Sequence, residues 1–349
     1  LTYHCFDTFA VSESSPLEAV VVKYCWILEN EANLLFFENL YTFVRGEAGM
    51  IAIRHTKEVS IQNFTHLRVE VDTTAKTVWL YMQPRPRPCF NIDFLKEIRE
   101  YQRVLQHYQG KLPHNGELVS IQYQVLASND PGVFNLGGDL ALFTECIRNK
   151  NLESLRSYAR ACIDVLYPNA IGYNLPITTI SLVTGDALGG GFEAALSSQI
   201  IIAERGVQMG LPEILFNLFP GMGAYQLLCR RLNPALAEKM ILSGRLYSSE
   251  ELYQLGIIDV LAERGEAVEA VNTFRRSHSK RQNGYMGVTD VRNLVNPISY
   301  DELLAVSDIW ANAALHLEER DLKTMTRLVR NQDKLPIVDE ETLHTRASA

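Results

Sequence analysis

Two acids set in apolar surroundings, each beside bare backbone, are where this sequence concentrates its chemistry. Glu193 follows three consecutive glycines in Ala187-Leu188-Gly189-Gly190-Gly191-Phe192-Glu193 and precedes Ala194-Ala195-Leu196, while Glu213 closes Met209-Gly210-Leu211-Pro212-Glu213. A carboxylate among Phe, Ala and Leu is costly to bury unless it is paired or keeps its proton. A carboxyl that keeps its proton near neutral pH is a usable acid. Two such groups facing across one pocket can divide the acid and base roles of a proton transfer. Each also has a plainer reading: Glu193 as a first-turn acid favoured by the helix dipole, and Glu213 as a solvent-facing carboxylate just after Pro212.

Glycine supplies the second ingredient. Gly137-Gly138, within Phe134-Asn135-Leu136-Gly137-Gly138-Asp139, and Gly189-Gly190-Gly191 each follow an expected strand and open an expected helix. Amides at such a junction are unpaired, and the helix dipole strengthens their attraction for negative charge. If the two loops converge, one amide from each forms an oxyanion hole for a thioester carbonyl that turns enolate-like or tetrahedral. If they do not, they are tight strand-to-helix turns. Neither loop has a GxGxxG opening or a following GK[ST], so neither is a dinucleotide or P-loop motif. Pro220-Gly221-Met222-Gly223-Ala224-Tyr225 reads either as a closely packed helix start or as the wall of an apolar cavity.

These residues need strands and helices to hold them. Leu67 to Val71 and Thr77 to Tyr81 alternate around Asp72-Thr73-Thr74-Ala75-Lys76, a hairpin signature. Phe94, Leu95, Ile98, Tyr101, Val104 and Leu105 fall at helical spacing, as do Leu155, Tyr158, Ala159, Cys162, Ile163 and Leu166. Leu118 to Leu126 and Ile177 to Val183 read as buried strands, with a shorter one at Ile200 to Ala203. Beyond Pro220 the pattern is mainly helical: a capping box runs from Ser248 to Glu251, and helices are expected over Ala267–Ser277, Tyr300–Leu317 and Leu322–Asn331. Residues 1–60 form an N-terminal extension in which Tyr24 to Val44 must pack on something, and the polar tail after Pro336 is expected to fray. Repeated strand-turn-helix units followed by helices indicate an α/β core over 61–265, a helical region over 266–335 and a tail over 336–349.

Bulk properties exclude some partners. A net charge of -8 over 349 residues supplies no positive field for nucleic acid or acidic membrane, and Arg230-Arg231 reads as a solvated helix end. No CxxC pair occurs among Cys5, Cys25, Cys89, Cys146, Cys162 and Cys229, so a reduced compartment is the simpler reading, and the histidines form no HxxxH or HExxH, which leaves no metal case. No cofactor is expected, since the carboxyls and loop amides themselves supply acid, base and oxyanion stabilisation. Without a leader-like start or a long uncharged apolar stretch, the expected location is the cytoplasm, with no stable membrane insertion.

Phe134 to Asp139, Ala187 to Glu193, Gly210-Leu211-Pro212-Glu213, and Tyr247 to Leu252 leading into Leu255-Gly256-Ile257-Ile258-Asp259 resemble the crotonase (enoyl-CoA hydratase/isomerase) superfamily. Val133 to Phe143 and Leu218 to Tyr225 resemble, within it, the branch of diffusible signal factor synthases (RpfF). The resemblance covers roughly residues 65–335 and implies a spiral of ββα units with a C-terminal α-helical region, assembled as trimers or dimers of trimers. It also implies oxyanion-hole amides at Gly138 and Gly190, catalytic acids at Glu193 and Glu213, and an acyl pocket at Phe192, Met222, Trp310 and Leu328. The branch implies dehydration of a 3-hydroxyacyl thioester on acyl carrier protein, hydrolysis to a free cis-2-unsaturated fatty acid signal, and regulation by a membrane sensor kinase. The superfamily at large implies an enoyl-CoA hydratase with the same residues. A third reading is a crotonase-fold protein that binds a partner without turnover, against which the two intact glutamates argue.

Overall fold

The computed structural model describes residues 64–329 in full, the last helix backbone to 332, and backbone strands within 3–55. Residues 1–60 form a compact unit of their own, in which the strands Ala19–Asn30, Asn33–Gly46 and Gly49–His55 pair antiparallel in succession. The side-chain packing expected for Tyr24 to Val44 and the tail after Pro336 lie outside the described residues.

The second unit is built on a six-stranded sheet ordered Val260–Ala262, Ile200–Glu204, Thr178–Val183, Tyr123–Ser128, Thr77–Met82 and Leu67–Asp72. Neighbours run parallel except the final hairpin. That hairpin is the anticipated one: Asp72 pairs with Thr77, and its carboxylate accepts the Ala75 amide at 2.8 Å. The inner strands are covered on both faces, which is why Thr178–Val183 is buried at every position and carries no polar alternation. On one face Val125, Ile180, Leu182 and Ile202 pack with Val271 of the helix Ala267–Ser279.

Three of these long strands are each followed by a short one. Tyr123–Ser128 leads to Val133–Asn135, Thr178–Val183 to Asp186–Leu188, and Ile200–Glu204 to Gln208–Gly210. The short strands form a second sheet in that order, parallel to one another, with Leu246–Ser248 antiparallel on its edge. Each then feeds a helical segment: Leu140–Arg148, Gly190–Ser197, and the 3-10 turn Pro212–Phe216. Two strands and a helix, repeated, make the expected spiral of ββα units, and helices close the C-terminal side.

Two elements differ from expectation. The run Leu118 to Leu126 is two strands, not one. Glu117–Ser120 turns back on Lys111–His114 through Asn115-Gly116, both at positive φ, and Leu118 is half exposed. Asn-Gly is the dipeptide such a tight hairpin prefers, and the chain turns there although apolar residues recur from Leu118 to Leu126. A helix over Gln282–Val295 was not anticipated; none of its residues is buried, so it has no apolar stripe facing a core. The helices Tyr300–Ala314 and Glu319–Gln332 stand close to their expected places. Among the described residues no helix is long and apolar enough to cross a membrane.

Glycines mark where backbone meets backbone. A methyl group on Gly191 would overlap the carbonyl oxygen of Asn135, whereas one on Gly284 would meet nothing. Gly191→Ala should therefore lower the unfolding free energy read from urea denaturation, by roughly 1–3 kcal/mol of overpacking strain. Gly284→Ala, inside an exposed helix, should raise it by up to about 1 kcal/mol. Equal shifts in the two variants would contradict the close approach at Gly191.

Candidate active site

The three short parallel strands end side by side, and each releases one chemical segment at the same edge. Gly137-Gly138 follow Val133–Asn135, Gly189-Gly190-Gly191 follow Asp186–Leu188, and Glu213 follows Gln208–Gly210. The Gly189 amide donates to the Gly210 carbonyl at 2.8 Å, which joins the second segment to the third.

The glycine loops converge. A Cβ placed on Gly190 would lie 3.3 Å from the Gly137 Cα and 3.4 Å from the Gly138 nitrogen. Gly137, at φ +92°, has the Gly190 nitrogen and the Leu188 oxygen each 2.8 Å from where its own Cβ would stand. Gly189 caps the helix Gly190–Ser197 at φ +53° and ψ −124° without any side-chain cap. That conformation suits glycine alone. Wholly buried Asn135 fixes the first loop, its Oδ1 accepting the Gly137 amide at 2.8 Å. Among the described residues, neither Gly138 nor Gly190 donates its amide to a turn or loop acceptor.

The glutamates are placed unequally. Glu193 sits in the first helical turn and is 1% exposed. Its Oε1 accepts the Met222 amide at 2.8 Å and the Ala224 amide at 3.0 Å, from the loop that Gly223 turns at φ +101°. Burial pushes its carboxyl up to about 7, and those two amides hold it down from going further. Glu213 opens the 3-10 turn behind Pro212, with Oε1 only 2.5 Å from where a Gly189 Cβ would be. Its Oε2 is shielded from solvent and has no hydrogen-bond partner. Burial first, then the charge of Glu193, push the Glu213 carboxyl up to about 8. Two amides favour the ionised form of Glu193, against only its own amide for Glu213, which also feels the charge of Glu193. A single proton shared by the pair therefore rests on Glu213.

Both carboxyls face a cavity of about 270 Å³. Gly138, Gly190, Glu193, Glu213, Met222, Trp310 and Leu328 all line it. Phe192 does not, although it was expected on the acyl side. It is fully buried, because successive helical residues point about 100° apart, and with Glu193 turned to the cavity Phe192 points into the core. Sequence reasoning had not placed Phe143, Tyr158, Phe216 or Leu218 here, yet each is in the wall. Tyr158 belonged to a helical stripe that periodicity could assign only to a core. Tyr158, Phe143 and Trp310 form an edge-on aromatic series with centroid separations of 5.0 and 4.9 Å. Gly221 leaves no room for a Cβ against the Trp310 ring. Among the described residues no Lys, Arg or His lines the cavity, and no group of three or more His, Cys, Asp and Glu is disposed to hold a metal ion.

The raised carboxyls have a consequence for stability. A group whose pKa is higher folded than unfolded binds more protons in the native state. Its stabilising contribution is complete below the ordinary 4.5 and is lost as pH rises through about 7 to 8. Glu213→Gln removes one such group. The variant should gain on the parent protein as pH goes from 5 to 8.5, by the order of 2 kcal/mol, read as a widening gap in melting temperature. His278, lowered by burial, acts in the opposite sense but is common to both proteins. A gap constant across that range would show that Glu213 ionises as freely as in water.

Comparison with known proteins follows the geometry. The model of the enoyl-CoA hydratase/isomerase family matches residues 119–293. Mitochondrial methylglutaconyl-CoA hydratase of Rattus norvegicus is 33% identical over 146 residues, 42% of this chain and 44% of that protein. The 2,3-dehydroadipyl-CoA hydratase of Escherichia coli K12 is 37% identical over 93 residues, 27% of this chain and 36% of that protein. The chain thus spans less than half the length of these curated relatives. Among solved structures, human mitochondrial delta3-delta2-enoyl-CoA isomerase aligns with a TM-score of 0.62 at 17% identity, covering 76% of this chain and 98% of that one. Pseudomonas aeruginosa DspI aligns at 0.54 and 22% identity, covering 79% and 97%. At these identities the structures speak for the fold alone. With its glycine loops and paired acids carried on a spiral of ββα units, the chain belongs to the enoyl-CoA hydratase/isomerase family.

Proposed function

We propose that this protein is an enoyl-thioester hydratase for acyl groups with a hydrocarbon tail. The observation that carries the reading is the unequal glutamate pair beside two open glycine amides. With Glu193 ionised and Glu213 protonated, the site is set for adding water across a 2,3 double bond. Glu193 takes a proton from water as its oxygen bonds to C3. The electron pair of the double bond moves through C2 onto the thioester oxygen, where the amides of Gly138 and Gly190 hold the enolate. Glu213 then delivers its proton to C2, and solvent returns the pair to its starting state when the 3-hydroxyacyl thioester leaves.

The wall of the cavity narrows the acyl group. The names of two relatives, methylglutaconyl-CoA and 2,3-dehydroadipyl-CoA hydratase, denote acyl groups that carry a second, distal carboxylate. Among the described residues no cationic side chain lines the cavity, so a distal carboxylate buried against them would stand unpaired at considerable cost. A hydrocarbon tail gains about 0.8 kcal/mol per buried methylene instead.

A second reading extends the first. The runs Val133 to Phe143 and Leu218 to Tyr225 and the hydrocarbon cavity favour a signal synthase. It would take a 3-hydroxyacyl group from acyl carrier protein, run the reaction toward the cis-2-enoyl thioester, and hydrolyse that thioester at the same oxyanion site. Trimeric assembly and control by a sensor kinase belong to that reading, and coenzyme A is the carrier in the simpler one.

Glu193→Gln and Glu213→Gln should each fold and lose about 10²-fold or more in kcat. The parent's kcat should follow a narrow bell in pH, highest where one proton is shared, between about 7 and about 8. Full activity in either variant would remove the acid-base assignment. Incubation with 3-hydroxydodecanoyl thioesters of coenzyme A and of carrier protein separates the two readings. Reversible formation of the trans-2-enoyl thioester supports the hydratase; free cis-2-dodecenoic acid supports the synthase. Trp310→Ala should shift the preferred chain length, read as relative kcat/KM across acyl lengths, whereas unchanged ratios with a lower Tm would make Trp310 a packing residue only.

A further inference from the structure

One residue in the cavity wall has no part in the acid-base chemistry and yet touches both sides of the Gly138 loop. Tyr158, on the helix Leu152–Ala170, is 2% exposed. Its hydroxyl donates to the Phe90 carbonyl at 2.6 Å and accepts the Asp139 amide at 3.2 Å. The Phe90 amide donates in turn to the Gly137 carbonyl at 2.8 Å. The Gly137 carbonyl and the Gly138 N–H belong to one peptide plane and point in opposite directions. Fixing the carbonyl on Phe90 therefore aims the N–H away from it. The neighbouring amides are all engaged: Leu136 on the Pro88 carbonyl at 2.8 Å, Gly137 on Asn135 Oδ1 at 2.8 Å, and Asp139 on Tyr158. Among the described residues, only Gly138 in this stretch keeps its amide free of a protein acceptor.

We propose that Tyr158 is a positioning residue whose hydroxyl, bridging Phe90 and Asp139, locks the peptide that presents the Gly138 amide to the thioester oxygen. The inference rests on the hydratase reading of the site. Its consequence is differential: the hydroxyl matters where negative charge gathers on that oxygen, and little where a neutral acyl thioester merely binds. A carbon at the Gly138 Cβ position would lie 3.5 Å from the Tyr158 oxygen, close enough that a small shift of the loop is felt directly.

Tyr158→Phe keeps the ring and its edge contact with Phe143 while deleting the bridge. With trans-2-dodecenoyl-CoA as substrate, kcat should fall about tenfold or more, with KM within about twofold of the parent. Two ligands on the same folded sample then separate aim from packing. Affinity for 3-ketododecanoyl-CoA, followed through the ultraviolet band of its enolate, should fall about tenfold, and that for saturated dodecanoyl-CoA should stay within about twofold. Equal weakening of both ligands together with a lower Tm would make the hydroxyl a structural bond and overturn the proposal. So would an unchanged kcat in Tyr158→Phe when the parent turns the substrate over. A parent protein that turns over no enoyl thioester of coenzyme A or carrier protein would overturn the hydratase reading itself, a failure recognisable without the variant.

Discussion

Backbone lying against backbone is the constraint on which the rest of the site depends. Gly137 and Gly190 approach so closely that a single added carbon would strike the other chain, and Gly191 meets the Asn135 carbonyl in the same way. Parallel pairing of three short strands produces that approach, because neighbours in one sheet must end at nearly the same height. From there the remaining features follow in order. The loops bring two amides together, the helix dipole behind Gly190 adds to their field, and the third strand sets Glu213 against the bare Cα of Gly189.

The glutamates show how surroundings distinguish two residues of one kind. Burial raises both, so burial alone cannot tell them apart. The difference lies in the amides of Met222 and Ala224, on either side of Gly223, which converge on Glu193, and in the unpartnered Oε2 of Glu213. An unsatisfied buried oxygen is costly in a finished fold, but it is the free valence that a substrate atom or water can occupy.

Much of this could be read in the sequence because it was written in runs. Gly137-Gly138, Gly189-Gly190-Gly191, Glu193 and Glu213 stand in short, dense segments, and strand-turn-helix punctuation surrounds them. What could not be read depended on rotation about a helix or on distant partners. Phe192 sits beside Glu193 in sequence but turns away from the cavity, a matter of helical phase that neighbouring residues do not reveal. Tyr158 looked like a core residue and is a wall residue, since an apolar stripe has the same spacing whether it faces side chains or a void. The Glu117–Ser120 hairpin was hidden because apolar residues recur from Leu118 through Leu126 across two strands, and the exposed helix Gln282–Val295 lacked the stripe by which helices are found.

The cavity is assembled from parts of very different sequence range. Its reactive edge comes from residues 137–213, whereas Trp310 and Leu328 come from helices that start at Tyr300 and Glu319. The last of these helices is held to the core by Arg148–Glu319 at 3.0 Å and Asn217–Asp321 at 3.3 Å, contacts that have no part in the chemistry. Part of the wall is thus independent in sequence of the glycine loops and glutamates. On the hydratase reading proposed above, drift in the terminal helices would reshape that part of the wall, and with it the acyl group admitted, while glycines and glutamates stay where they are. A lineage built this way would diversify its substrates without passing through an inactive ancestor.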